Sequence, residues 1–152
     1  MPLVATVCAA LLVLTTGVHY EILRALSHGL PGMAIPARAK LIVVIFGTFL
    51  AHIAEILLYA LAMYMLVRFA GLGTLGNGSH FSLDVALYFS AETYTSLGYG
   101  DVVPTGALRL LAGTEALNGL LLIGWSASYT FIAMERFWTR ESGDRGRRDI
   151  HP

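Results

Sequence analysis

The residues best suited to chemistry lie in one short run, Thr95-Ser96-Leu97-Gly98-Tyr99-Gly100-Asp101. Gly98 and Gly100 can take positive φ, a region closed to most residues. The carbonyls of successive residues can then turn to one side. A ladder of carbonyl oxygens replaces the water around a bare monovalent cation. Such chemistry is coordination, and neither a catalytic residue nor an organic cofactor is required. A helix is predicted immediately upstream, over Leu83–Tyr94, with Ser82 as its N-cap and Asp84 in its first turn. Its negative C-terminal end would point toward the same run and also favours a cation.

That helix is roughly 20 Å long at ~1.5 Å per residue, too short to cross a bilayer, so the segment reads as re-entrant. Non-helical backbone at membrane depth is tolerated only where it is buried or lines a watery path. The rest of the chain supplies the surroundings. Of 152 residues, 56% are hydrophobic and 13% charged, with ten Lys+Arg against ten Asp+Glu, and the mean hydropathy is +0.67. That composition excludes disorder, makes a water-soluble enzyme untenable, and leaves no basic field for nucleic acid. The one cysteine, Cys8, excludes an internal disulfide.

Three apolar stretches, 2–18, 41–67 and 110–134, are candidates for spans of ~20 residues. The first could alternatively be a signal peptide, but no Lys or Arg precedes Arg24, so the basic n-region is missing and a retained helix is preferred. The expected organisation is an all-α membrane protein. An N-terminal transmembrane helix covers 1–23 and a loop 24–40, broken by Gly29, Pro31, Gly32 and Pro36. A re-entrant unit covers 41–138, with a helix 41–67, a short helix 83–94, the carbonyl strip 95–101 and a helix 107–138. A polar, frayed tail covers 139–152. Residues 71–80, GLGTLGNGSH, read as a flexible turn.

The run TSLGYGD, with Tyr88-Phe89-Ser90-Ala91-Glu92-Thr93 before it and Val102-Val103-Pro104 after it, resembles the selectivity filter, pore helix and outer mouth of the small two-helix prokaryotic potassium channels. The resemblance covers Leu41 to Trp138. It implies that 41–138 is an ion-channel pore domain, with 41–67 as its outer helix, 83–94 as pore helix, 95–101 as filter and 107–138 as inner helix. It implies a potassium-selective channel in which the carbonyls of Ser96, Leu97, Gly98 and Tyr99 coordinate K⁺, with Gly100 completing the filter. Ser96 stands where Thr is commoner and keeps the hydroxyl without the methyl. Leu97 stands where Val or Ile is commoner and is less stiff. The resemblance also implies a homotetramer surrounded by membrane lipid, since one chain supplies one copy of the filter. The competing reading is a non-conducting or accessory pore-like subunit. Thr95, Glu92 and Asp101 would support the filter. In the family's proton-gated member a glutamate at the place of Glu92 pairs with the filter aspartate, so a shared proton between Glu92 and Asp101 is expected. Gly119 is either an inner-helix hinge or a packing glycine. As a hinge it would leave Leu120, Ile123 and Ala127 lining the cavity below the filter.

Ionisable residues within spans are functional candidates. His52 and Glu55 share a helix face at i, i+3 and read as an interhelical hydrogen bond in preference to a proton-sensitive pair or half of a metal site. Glu115 and Asn118 read as structural, facing the second helix or the re-entrant segment. His19 and Glu21 are expected at the membrane interface, and the first helix is expected to pack at the periphery.

Basic residues give an independent orientation. With the filter outside, eight Lys/Arg (Arg24, Arg38, Lys40, Arg136, Arg140, Arg145, Arg147, Arg148) fall inside and two (Arg68, Arg109) outside, as the positive-inside rule asks. The expected location is the cell (inner) membrane, with the C-terminus cytoplasmic, the N-terminus outside, and Phe137 and Trp138 in the inner aromatic belt.

Overall fold

The structure is a computed structural model, and it describes the backbone of residues 2–76 and 81–148 and the side chains through residue 136. It contains four helices among the described residues: α1 (Pro2–Gly32), α2 (Ala37–Ala70), α3 (Leu83–Tyr94) and α4 (Leu108–Arg148). The chain is an all-α membrane protein. Pro2–Gly32, Ala37–Ala70 and Leu108–Arg136 are each long and apolar enough to cross a membrane. α3 is short and inserts between α2 and α4, packing on both.

Two boundaries differ from expectation. Residues 24–32 are helix, part of α1, and the connection to α2 is only residues 33–36. Packing explains the extension. Leu26 lies so close to α2 that a Cβ on Gly47 would come within 2.9 Å of its methyl carbons, and Leu30 is buried with Val44 and Ala133. Pro31 falls in the last turn, where a proline disturbs little beyond it, and Pro36 takes the extended N-cap position of α2. At the other end, α4 continues in its backbone to Arg148, past the expected limit at Trp138. The side chains of Phe137 and Trp138, and residues 149–152 of the tail, lie outside the described residues.

α1 is more than a peripheral helix. Its buried residues Val4, Cys8, Leu11, Thr15, His19 and Leu23 recur at three or four positions, a single stripe down one face. That stripe packs against α2 and α4 together. Val4, Cys8 and Leu11 share a core with Tyr59, Met63, Leu66, Phe89, Leu108 and Leu111, so the start of α1 lies at the same end as the α3–α4 connection. Leu30, Val44 and Ala133 form a separate cluster toward the other end.

The connections are fixed by backbone chemistry. Gly71, at φ 60°, ends α2 and returns its N–H to the Leu66 carbonyl, which the Leu72 N–H also reaches at 3.4 Å, so the left-handed residue satisfies a carbonyl left open by the last turn. Residues 71–76, expected to be flexible, are tied to the chain after the strip. Thr105 N–H donates to the Thr74 carbonyl at 2.9 Å and Gly76 N–H to the Val103 carbonyl at 3.2 Å, around a bridge of Leu75 and Pro104. Residues 77–80, the remainder of that expected turn, lie outside the described residues. Ser82 occupies the N-cap position of α3 but makes no side-chain cap. Its hydroxyl turns to Asp84 instead, holding that carboxyl below its usual range.

Candidate ion-conduction site

α3 ends at Tyr94, and the chain beyond it changes hand at alternate residues. Ser96, Gly98 and Gly100 have φ of 57°, 54° and 81°, while Leu97 and Tyr99 between them are not in the positive region. This alternation is what allows consecutive carbonyls to share a side. Glycine takes it freely; for Ser96 the left-handed region costs about 1–2 kcal/mol. The end of α3 offsets that cost with hydrogen bonds. Ser96 N–H reaches the Thr93 carbonyl at 2.9 Å, and the Glu92 carbonyl accepts from Leu97 N–H at 2.8 Å and Gly98 N–H at 3.3 Å. Thr95 closes the helix end with its hydroxyl on the Ala91 carbonyl at 2.8 Å.

Glu92 holds the strip a second time through its side chain. Its carboxylate, buried at 4% exposure, accepts the Tyr99 N–H at 3.2 Å. The expected shared proton between Glu92 and Asp101 is therefore corrected: among the described residues no hydrogen bond joins them. Asp101 is exposed and instead accepts the Tyr88 hydroxyl on both oxygens, at 3.0 and 3.1 Å. The physical reason is competition. Tyr88, one helical turn before Glu92, occupies both Asp101 oxygens, while the Tyr99 N–H occupies the Glu92 carboxylate.

The side chains of the strip have no home within one chain. Leu97 is 58% exposed and Tyr99 69%, unlike the buried residues behind them. Leu120, Ile123 and Ala127 on α4 are likewise exposed. Gly119 is the opposite case. A Cβ there would run into the carbonyl oxygen of Tyr94, so the glycine is what lets α4 approach the end of α3. That geometry favours the packing alternative over the hinge.

Behind the strip lies a polar shell drawn from all four helices. Glu55, fully buried, is its centre. His19 Nδ1 faces Glu55 Oε1 at 2.9 Å, His52 Nδ1 faces Oε2 at 3.1 Å, and the Tyr94 hydroxyl donates to Oε2. His52 Nδ1 is also 2.9 Å from the Tyr94 hydroxyl, and His19 Nε2 is 3.3 Å from Ser126 Oγ. The expectation for His19 is corrected: its exposure is 0%, because Glu55 and Ser126 satisfy both ring nitrogens and Trp125 packs on the ring. Glu21 does stand exposed, paired with Arg24. Beside this cluster, Asn118 Nδ2 donates to Thr15 at 2.8 Å and to Tyr59 at 3.1 Å.

Glu115 faces α3. Ser90 Oγ lies 2.9 Å from the Ile56 carbonyl and also bonds Glu115 Oε1. A hydroxyl has one hydrogen, and both Ile56 and an ionised Glu115 would need it. A proton carried by Glu115 and donated to Ser90 satisfies both contacts, and also suits the buried, unpartnered Oε2.

Comparison with known families decides the class. Residues 40–136, more than half of the chain, match the model of an ion-channel family. The chain belongs to that ion-channel family. The match takes in nearly all of α2, all of α3, the strip and most of α4, and leaves α1 outside it. No curated protein and no solved structure matches the chain. This ion channel is thus a multi-pass membrane protein.

Proposed function

We propose that the channel is potassium-selective and works as a homotetramer, with four copies of residues 96–100 forming a single filter on the shared axis. The alternating positive φ at Ser96, Gly98 and Gly100 carries this reading, because it suits a ladder of backbone carbonyls for a dehydrated ion. The carbonyls of Ser96, Leu97, Gly98 and Tyr99 are the K⁺ ligands. Glu92 and Thr95 brace the strip from the end of α3, and the Tyr88–Asp101 bond steadies its outer end. Leu97 and Tyr99, exposed in one chain, pack against neighbouring copies, and Leu120, Ile123 and Ala127 line the cavity below. The filter faces outward in the cell membrane, with the C-terminus cytoplasmic, supported by the eight-to-two division of basic residues.

Flux through the purified protein in liposomes tests this. A K⁺ gradient with an indicator of compensating proton movement should report K⁺ flux that Ba²⁺ blocks, that is absent with Na⁺, and that Gly98→Asp abolishes. Equal Na⁺ and K⁺ flux removes the selectivity. Absence of flux from confirmed tetramers supports the accessory-subunit reading instead.

A further inference from the structure

The shell behind the strip contains a donor set that conduction does not use. His19, His52 and Glu55 place one ligand atom each within 4.8 Å of one another. Two imidazoles and a carboxylate form a recurrent ligand set for zinc and related divalent ions. With metal–ligand lengths of about 2.0–2.2 Å, adjacent ligand atoms stand roughly 2.9–3.4 Å apart for angles between right and tetrahedral. The observed separations are 2.9 Å from His19 Nδ1 to Glu55 Oε1 and 3.1 Å from His52 Nδ1 to Glu55 Oε2, each in that range, and the three ligand atoms together stay within 4.8 Å, so side-chain rotation within the cluster would close the set around an ion. Tyr94, bonded to both His52 and Glu55, offers a fourth oxygen.

A second observation points the same way. A histidine that ligates through one ring nitrogen ordinarily donates the other N–H to a fixed partner. His19 Nε2 already faces Ser126 Oγ at 3.3 Å. His52 is 17% exposed while Glu55 is wholly buried, so the cluster lies just beneath the surface at His52.

We propose that His19, His52 and Glu55 form a binding site for a zinc-class divalent cation, with the Tyr94 hydroxyl completing it. The ion joins α1, outside the family-matched region, to α2, and through Tyr94 to the residue that leads into the strip. It would clamp the first helix to the filter's support. The proposal does not rest on potassium selectivity, because its test reads binding alone.

The test is calorimetric titration of Zn²⁺ into chelator-stripped, full-length protein in detergent. Saturable binding of one ion per chain is expected. His28→Ala should leave it unchanged, since that exposed ring lies outside the cluster and bonds the Arg24 carbonyl. Ser126→Ala should weaken it about 10-fold or more, the usual effect of losing an outer-shell partner, and His19→Ala or His52→Ala should abolish it. No saturable binding to the wild type, or binding unchanged in both histidine variants, overturns the site. Should the histidine variants fail to assemble, X-ray absorption at the zinc edge of the loaded wild type decides. Two imidazole nitrogens with oxygen neighbours support the site, and one imidazole or none overturns it.

Discussion

The carbonyl strip and the polar shell behind it touch at Tyr94, yet they are built on opposite principles. The strip at residues 95–101 is continuous in sequence, acts through its backbone, and leaves Leu97 and Tyr99 exposed in the single chain. The shell is discontinuous, acts through side chains, and is almost wholly buried; Glu55 alone meets partners 36 and 39 residues away. In the proposed tetramer, the first region is finished by neighbouring copies. The other is complete within one chain. The difference separates two jobs that are easily merged: the strip defines where an ion would be held, while the shell fixes the end of α3 from which the strip is launched.

Substitutions that divide stability from flux can break this comparison. The largest effect is expected for Glu55→Ala. It leaves His19, His52 and Tyr94 facing an empty centre, and removing one member of a buried pair typically costs about 3–5 kcal/mol. Recovery of folded, assembled protein in size-exclusion chromatography should fall sharply; a wild-type profile would show the shell to be dispensable. Next comes Gly119→Ala, whose methyl would meet the Tyr94 carbonyl. Overpacking of this kind costs about 1–3 kcal/mol, read as a lower midpoint of thermal unfolding.

Gly98→Ala should act on the other region. Beyond the adjoining residues nothing lies within 4 Å of the added Cβ, but φ is +54°, so the cost is backbone strain of about 1–2 kcal/mol per copy. Flux should fall at least ~10-fold with assembly retained. A loss of assembly matching that of Glu55→Ala would erase the proposed separation. The smallest effect is expected for Glu115→Gln, below about 1 kcal/mol. If Glu115 already carries the hydrogen that Ser90 accepts, a neutral amide donor can replace it. A large drop in thermal stability would show that the carboxylate is ionised and that Ser90 donates to it.

The same division explains what was legible in the sequence. The strip could be read because its logic is local: two glycines at alternate positions and a short helix ending just before them. The positive φ at Ser96 was not legible, since only the hydrogen bonds from the end of α3 reveal that a non-glycine residue is held there. Three spans were plain from composition. The extension of α1 through residues 24–32 was not, because it depends on Leu26 fitting against Gly47 and Leu30 joining Val44 and Ala133. His52 and Glu55 advertised their pairing by i, i+3 spacing. His19 could not announce that it completes the cluster, since only the packing of α1 against α2 brings it there. For Glu92, a family precedent pointed to Asp101. The local geometry gave its carboxylate to the Tyr99 N–H and gave Asp101 to Tyr88.

The central claim is that backbone carbonyls of residues 96–99 from four chains hold the ion. Crystals of the channel grown in Rb⁺, an anomalously scattering substitute for K⁺, test it most directly. The account predicts anomalous peaks on a fourfold axis, in a row level with the carbonyls of Ser96 through Tyr99. An axis lined instead by the side chains of Leu97 or Tyr99, or a fourfold axis with no ion at these carbonyls, would contradict it.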